Sequence, residues 1–256
     1  MKIRLLLSYK GTGFFGWQKQ SRHRTVQGEI EKILFQLLKK KISLVGSGRT
    51  DTGVHALGQT AHFELAENDL KNINLKKALN SLLPEDISVL DCWKAPLEFH
   101  ARFSAKKKSY LYFIFTGDSP PVLFRDLVWW KKEGLDLKKL QKISQLVLGA
   151  KDFKSFQSTG SEVKSSIRTI YQSRWTQVSP AFYCYQITGS GFLKQMVRNL
   201  VGTYIDLLKE RKGEQKLRRI LLALDRRQAL SVAPGQGLYL KKVFYSQALD
   251  KACHKI

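Results

Sequence analysis

The chain has 256 residues, of which 43% are hydrophobic and 11% aromatic, and this composition predicts two soluble domains without the ~20-residue apolar run of a membrane span. Its 44 Lys and Arg against 21 Asp and Glu leave a net charge of +23, spread over many segments, which favours a nucleic acid over a membrane surface as partner. Its three cysteines, Cys92, Cys184 and Cys253, form no C-x-x-C pair, which indicates a reducing compartment, expected to be the cytoplasm, and argues against a metal site.

The first part of the chain predicts strands at residues 3–9, 59–65 and 87–93. Apolar residues at three- and four-residue spacing predict a helix over 26–38 with Thr25 as its N-cap. A shorter helix begins after Asn74, and Pro84 ends it. The connecting segments include two glycine-rich stretches, GTGFFG at 11–16 and GRTDTGVHALG at 48–58.

The second part predicts further strands at residues 109–115, 167–178, 182–188 and 238–245, and helices at 137–148, 192–201 and 216–224. The order lacks the regular strand and helix alternation of a doubly wound parallel sheet. We therefore predict an α+β fold with largely antiparallel sheets, divided into an N-terminal domain of residues 1–104 and a C-terminal domain of residues 105–256.

The GTGFFG stretch matches the dinucleotide fingerprint G-x-G-x-x-G. In that fingerprint a helix opens on the last glycine and faces the pyrophosphate, whereas here a polar stretch at residues 17–24 intervenes before helical spacing begins. The nucleotide interpretation is therefore disfavoured. A nucleic-acid contact and a plain solvated loop remain as alternatives.

The tripeptide DTG at residues 51–53 is shared with aspartic proteases, whose chemistry needs two carboxylates that share a proton. The chain has one DTG, and Arg49 favours an ionised Asp51, which opposes proton sharing. An ionised carboxylate on a loop can be a nucleophile or a general base, or it can simply cap nearby backbone amides. The local sequence leaves these possibilities open.

Two further basic segments are compatible with RNA binding. Residues 99–112 interleave basic and aromatic side chains, which suits phosphate contact and base stacking but also describes a basic linker. On the helix predicted at 192–201, Arg198 lies four residues from Lys194 and is expected on the same face, where it either binds phosphate or is solvated.

Taken together, these segments resemble the TruA family of tRNA pseudouridine synthases. The matching stretches occur in the family's order and spacing over nearly the whole chain: YKGTGFFGWQKQ, TVQGEIE, GRTDTGVHALGQTAHF, FHARFSAKKKSYLY, GSGFLKQMVRNLVGT and APGQGLYL. Thr52 replaces a common Ala, and Lys108-Ser109 stands where Arg is frequent before the tyrosine. Neither departure touches the matching aspartate or tyrosine.

The resemblance implies an isomerase that converts uridine to pseudouridine at positions 38, 39 and 40 of the tRNA anticodon stem-loop, without cofactor or metal. Asp51 matches the family's nucleophile and Tyr110 the residue that stacks on the target base. Arg49 and Arg198 match basic residues around the aspartate and substrate, and Leu238 matches an apolar position of the active site. The resemblance also implies two α+β domains joined across a central basic cleft, and a homodimer in which one tRNA touches both subunits. The alternatives are a non-catalytic RNA-binding protein with the same fold and a dimeric aspartic protease.

Overall fold

The computed structural model of the protein describes residues 1–70, 73–160 and 163–256. The described chain forms two compact units, one of Met1–Lys107 with Leu240–Ile256 and one of Lys108–Tyr239. The chain passes from the first unit to the second between Lys107 and Lys108, whereas the expected domain boundary lies between residues 104 and 105. The structure differs at the other end of the chain, where residues 240–256 belong to the first unit instead of the second.

Along the described residues the strands are β1 (Lys2–Tyr9), β2 (Val45–Gly46), β3 (His55–Glu64), β4 (Ile87–Ala95), β5 (Lys107–Thr116), β6 (Trp129–Lys131), β7 (Gly149–Asp152), β8 (Ile167–Ser179), β9 (Phe182–Gly189), β10 (Leu238–Phe244) and β11 (His254–Lys255). The helices are α1 (Val26–Leu38), α2 (Leu75–Leu82), α3 (Leu137–Gln145), α4 (Met196–Leu207), α5 (Gly213–Ala223) and α6 (Gln247–Lys251). None of the helices in the described ranges is long and apolar enough to cross a membrane.

The sheet of the first unit runs in the order β11, β4, β1, β3 and the part of β10 from Leu240, with β2 beside β3. β1 pairs antiparallel with both β3 and β4. Its alternate residues Ile3, Leu5 and Leu7 are fully buried, as the period of two in a half-covered strand requires. α2 packs on β4, where the Asn80 amide bonds to both backbone groups of Val89.

The second unit has the strand order β5, β9, β8 and β7, all paired antiparallel, with β6 parallel to β5. α3 packs on β8, and α3, α4 and α5 pack on one another. The core contains a stacked pair of rings, Trp175 and Tyr185, with centroids 4.9 Å apart. These two units confirm the predicted α+β class with largely antiparallel sheets.

Local capping signals correctly predict the starts of two helices. The Thr25 hydroxyl accepts from the Gly28 amide at 3.3 Å, and the Asn74 side chain accepts from the Lys77 amide at 3.0 Å. The predicted helix at 192–201 is wrong at its start, because Gln195 has φ of +58° and the helix begins only at the next residue. α6 and β11 are not predicted from the sequence.

Candidate active site

Asp51 lies on the loop between β2 and β3, in a tight turn. The Val54 amide donates to the Asp51 carbonyl at 3.1 Å, and Gly53, in the third position of this turn, has φ of +75°. A turn of this kind needs glycine there, whereas its second position accepts most residues. Thr52 occupies that second position and is exposed, so its presence in place of Ala fits the turn. The turn leaves Asp51 half-buried on the loop.

The GTGFFG segment and the following Trp17, residues 11–17, brace this loop through backbone contacts. Gly11–Gly13 form a 3-10 turn, and α1 begins only at Val26, so the geometry of a dinucleotide-binding helix is absent from the described residues. The Trp17 amide donates to the Thr50 carbonyl at 3.1 Å. A Cβ added to Gly11 would lie 2.0 Å from the Val54 carbonyl oxygen, so only glycine allows this approach. The segment is therefore a support for the Asp51 loop, a role that sequence reasoning missed.

Two buried histidines of β3 accept hydrogen bonds from backbone amides that are distant in the sequence. The Gly11 amide donates to Nδ1 of His55 at 3.0 Å, and the Ala101 amide donates to Nδ1 of His62 at 3.2 Å. Burial and the neighbouring His100 lower the pKa of His62 to about 4. No group of three His, Cys, Asp or Glu side chains that could hold a metal ion occurs in the described part of the chain.

Among the residues expected in the site, Arg49 and Asp51 lie together on the loop of the first unit, and the Arg49 side chain is exposed. Tyr110 lies in β5 of the second unit and is 9% exposed. Its ring meets Phe192 edge-on, with centroids 5.1 Å apart and planes at 83°. Ser109 beside it is buried and accepts a hydrogen bond from the Thr188 hydroxyl at 3.0 Å.

Arg198 and Tyr112 hold the segment that leads to Leu238 in the second unit. Nε of Arg198 donates to the Ala233 carbonyl at 2.7 Å, and the Tyr112 hydroxyl donates to the Pro234 carbonyl at 2.8 Å. Burial raises the pKa of Tyr112 well above its usual value, and the nearby Arg198 charge opposes that rise. Leu238 is 5% exposed. Tyr112 is not singled out by any sequence pattern beyond its place two residues after Tyr110, on the same strand face.

The expected shared face of Lys194 and Arg198 is not present. Lys194 lies before the start of α4 and donates to the Thr159 carbonyl at 2.8 Å. The helical spacing between the two residues does not apply, because the left-handed Gln195 separates them.

A family model described as tRNA pseudouridine synthase matches residues 6–104 and 143–246. The chain belongs to this family of isomerases, and the membership sets aside the aspartic protease alternative.

Relatives named tRNA pseudouridine synthase A match nearly the full chain. The protein of Bdellovibrio bacteriovorus is 45% identical over 98% of this chain and 98% of its own. The proteins of Maridesulfovibrio salexigens and Caldicellulosiruptor bescii are 41% and 40% identical, over 96% and 95% of this chain and 91% and 99% of their own. A solved chain of an archaeal box H/ACA sRNP Nop10-Cbf5 complex is 10% identical, with a TM-score of 0.38 over 96% of this chain and 48% of that chain, values too low to carry an argument.

Proposed function

We propose that this protein isomerises uridine to pseudouridine in tRNA, at positions 38, 39 and 40 of the anticodon stem-loop. The observation that carries the proposal is a near full-length likeness to proteins named tRNA pseudouridine synthase A, within which Asp51 stands on a braced, half-buried turn. A carboxylate on a fixed loop has the accessibility and the rigidity that a nucleophile needs.

Asp51 acts as the nucleophile. The N1–C1′ bond of uridine breaks, the base rotates, and a C5–C1′ bond forms; the proton lost from C5 is balanced by one gained at N1, so the reaction needs no oxidant or reductant. Addition of the carboxylate to ribose C1′ and addition to base C6 both use this residue. The chemistry requires neither a cofactor nor a metal ion.

The target uridine has to leave its stack before Asp51 can reach it, which costs a few kcal/mol. Tyr110 offsets part of this cost by stacking on the flipped base, and Leu238 forms an apolar wall of the site. By their match to the family, Arg49 and Arg198 are the basic residues around the aspartate and the substrate. The net charge of +23 supports tight and salt-sensitive binding of a polyanion.

The protein acts as a homodimer in the cytoplasm, and one tRNA contacts both subunits. The family likeness supports the dimer, and the free thiols of Cys92, Cys184 and Cys253 suit a reducing compartment.

The proposal is tested by incubating the protein with unmodified tRNA transcripts and mapping pseudouridine, for the wild type and for Asp51→Asn and Asp51→Ala. We expect modification at positions 38, 39 and 40 by the wild type, none by either variant, and similar tRNA affinity for all three. Activity that persists in Asp51→Ala would refute the nucleophile assignment. Tight binding by the wild type without modification would instead favour the non-catalytic RNA-binding alternative.

A further inference from the structure

A buried polar cluster lies beneath the Asp51 loop, inside the first unit. Tyr9, at the end of β1, is 4% exposed, and its hydroxyl lies 2.9 Å from the hydroxyl of Thr50. Thr50 is itself only 7% exposed and directly precedes Asp51. Asp51 therefore directly follows a residue, Thr50, whose side chain is hydrogen-bonded to a strand of the sheet.

Gln59 holds the other end of the same loop. It lies in β3, is 0% exposed, and its Oε1 accepts from the Ser47 hydroxyl at 2.6 Å. Its Nε2 donates to the Gly48 carbonyl at 2.9 Å. Together, the Tyr9 bond to Thr50 and the Gln59 bonds to Ser47 and Gly48 form a network of buried side chains that holds the loop on both sides of Arg49.

The network is uncharged. Burial raises the pKa of the Tyr9 phenol above its usual value, so the hydroxyl keeps its proton at any pH at which the enzyme works. A hydrogen-bonded network between neutral buried groups fixes geometry, and leaving one member without a partner carries a cost. None of these side chains belongs to the set matched to the family's active site.

We infer that Tyr9 and Gln59 are positioning residues, whose hydrogen bonds to residues 47–50 set the place of the Asp51 carboxylate relative to the bound uridine. The inference rests on the proposed function, since it takes Asp51 as the nucleophile. A nucleophile displaced by about 1 Å loses about 100-fold in rate. The backbone hydrogen bond from Trp17 to Thr50 remains when the Tyr9 hydroxyl is removed. We therefore expect the loop to keep its fold while the Asp51 carboxylate loses its exact position.

The alternative is that the cluster only stabilises the fold, and a matched control separates the two roles. Tyr245 is a second buried tyrosine of the first unit, and its hydroxyl donates to the Ala101 carbonyl at 2.7 Å, so its hydrogen bond is not to a residue of the Asp51 loop. Tyr9→Phe and Tyr245→Phe each remove one buried tyrosine hydroxyl from the same unit. A purely structural role predicts the same behaviour for both variants.

The test measures the single-turnover rate at saturating enzyme, tRNA affinity and thermal unfolding for both variants. For Tyr9→Phe we expect the rate to fall about 10- to 100-fold with tRNA affinity unchanged within about twofold. Tyr245→Phe is expected to lose similar stability and to keep the wild-type rate. Thr50→Val should lower the single-turnover rate as Tyr9→Phe does. The double variant Tyr9→Phe with Thr50→Val should be no slower than the slower of the two single variants. Thr50→Ser keeps the hydroxyl and should retain most of the wild-type rate. A full rate in Tyr9→Phe, or equal rate losses in both tyrosine variants, would overturn the inference.

Amide hydrogen exchange gives a readout that does not depend on catalysis. Amides of residues 48–54 are expected to exchange at least about tenfold faster in Tyr9→Phe than in Tyr245→Phe, and equal exchange would count against the positioning role. If Asp51→Ala is active, the assignment of Asp51 as nucleophile is refuted. If Asp51→Ala is inactive and Tyr9→Phe is fully active, only the positioning role of Tyr9 is refuted. The two failures are thus distinguishable.

Discussion

Gly16 and Thr50 are in direct backbone contact, since a Cβ added to Gly16 would lie 2.6 Å from the Thr50 carbonyl oxygen. Gly16 also has φ of +84°, which disfavours any L side chain. We expect Gly16→Ala to push the Asp51 loop away from its brace, with a loss of roughly 1–3 kcal/mol in the free energy of unfolding and about 100-fold in turnover. Gly134→Ala is the control, because nothing lies within 4 Å of its added Cβ. Unchanged turnover in Gly16→Ala, measured under single-turnover conditions, would contradict the bracing role.

Tyr110→Ala is expected to lower the modification rate of bound tRNA about 10- to 100-fold, because stacking on one base contributes about 1–3 kcal/mol. Affinity should fall only a few-fold, since phosphate contacts dominate binding. Tyr110→Phe keeps the ring and should retain most of the rate. Rate and dissociation constant are measured separately for each variant. A collapse of affinity with normal turnover of bound tRNA would show that Tyr110 has another role.

Asn199 anchors α4, and its replacement should lower stability. It is 0% exposed, and its Nδ2 donates to the Phe156 carbonyl at 2.7 Å while its Oδ1 accepts from Arg226 at 3.1 Å. Asn199→Ala removes these bonds, together with one to the Ser158 hydroxyl at 3.2 Å, and leaves a cavity, so we expect a loss of about 2–4 kcal/mol in denaturant unfolding. Gln177→Ala removes an exposed amide bond to Pro180 and should change stability by less than about 0.5 kcal/mol. Equal effects of the two changes would contradict the anchoring role.

Stability should depend on the protonation of His62. Its pKa in the folded protein is about 4, lowered by burial, by His100 and by Lys2, against about 6.5 in the unfolded chain. The unfolded state binds more protons between these two pKa values. The contribution of His62 to the free energy of unfolding is therefore complete above about pH 6.5 and is lost as the pH falls toward 4. The loss is roughly 2–3 kcal/mol.

Unfolding by denaturant is measured across this pH range for the wild type and for His62→Gln. The Gln variant has no proton to gain and should show a shallower slope. Some slope should remain, because burial also lowers the pKa of His100. An unchanged slope in the variant would contradict the assignment to His62.

The affinity for tRNA should fall steeply with salt, because Lys and Arg side chains release counterions from the phosphates when they bind. Between about 50 and about 200 mM salt we expect a loss of about 100-fold or more, linear on a double-logarithmic plot. A tRNA titration at several salt concentrations measures the slope. A flat response would show that the net charge of +23 does not act through phosphate contact.

Features that depend on neighbouring residues are readable from the sequence, and features that depend on distant contacts are not. The caps Thr25 and Asn74 act over three residues, and both are predicted correctly. The left-handed backbone of Gln195 is not predictable in this way, because its side chain accepts a hydrogen bond from the Ser158 hydroxyl at 2.7 Å, far away in the chain. The start of α4 is therefore decided by tertiary structure.

The candidate site shows the same division. The loop around Asp51 is recognisable because its motif is contiguous, whereas the brace from residues 11–17 becomes visible only when the two segments lie side by side. The attachment of Arg198 to Ala233 likewise joins residues that the sequence separates widely. Sequence reasoning thus names candidate residues for the site, but it does not show which contacts hold them in place.

The return of the chain to the first unit has a consequence for how the protein is made. β10 borders β3, the strand that follows the Asp51 loop, yet residues 108–239 are translated between them. A ribosome releases the chain from its N-terminal end, so the sheet next to the Asp51 loop stays open at this edge until the second unit has emerged. Synthesis of the first unit therefore starts before that of the second unit and is completed after it.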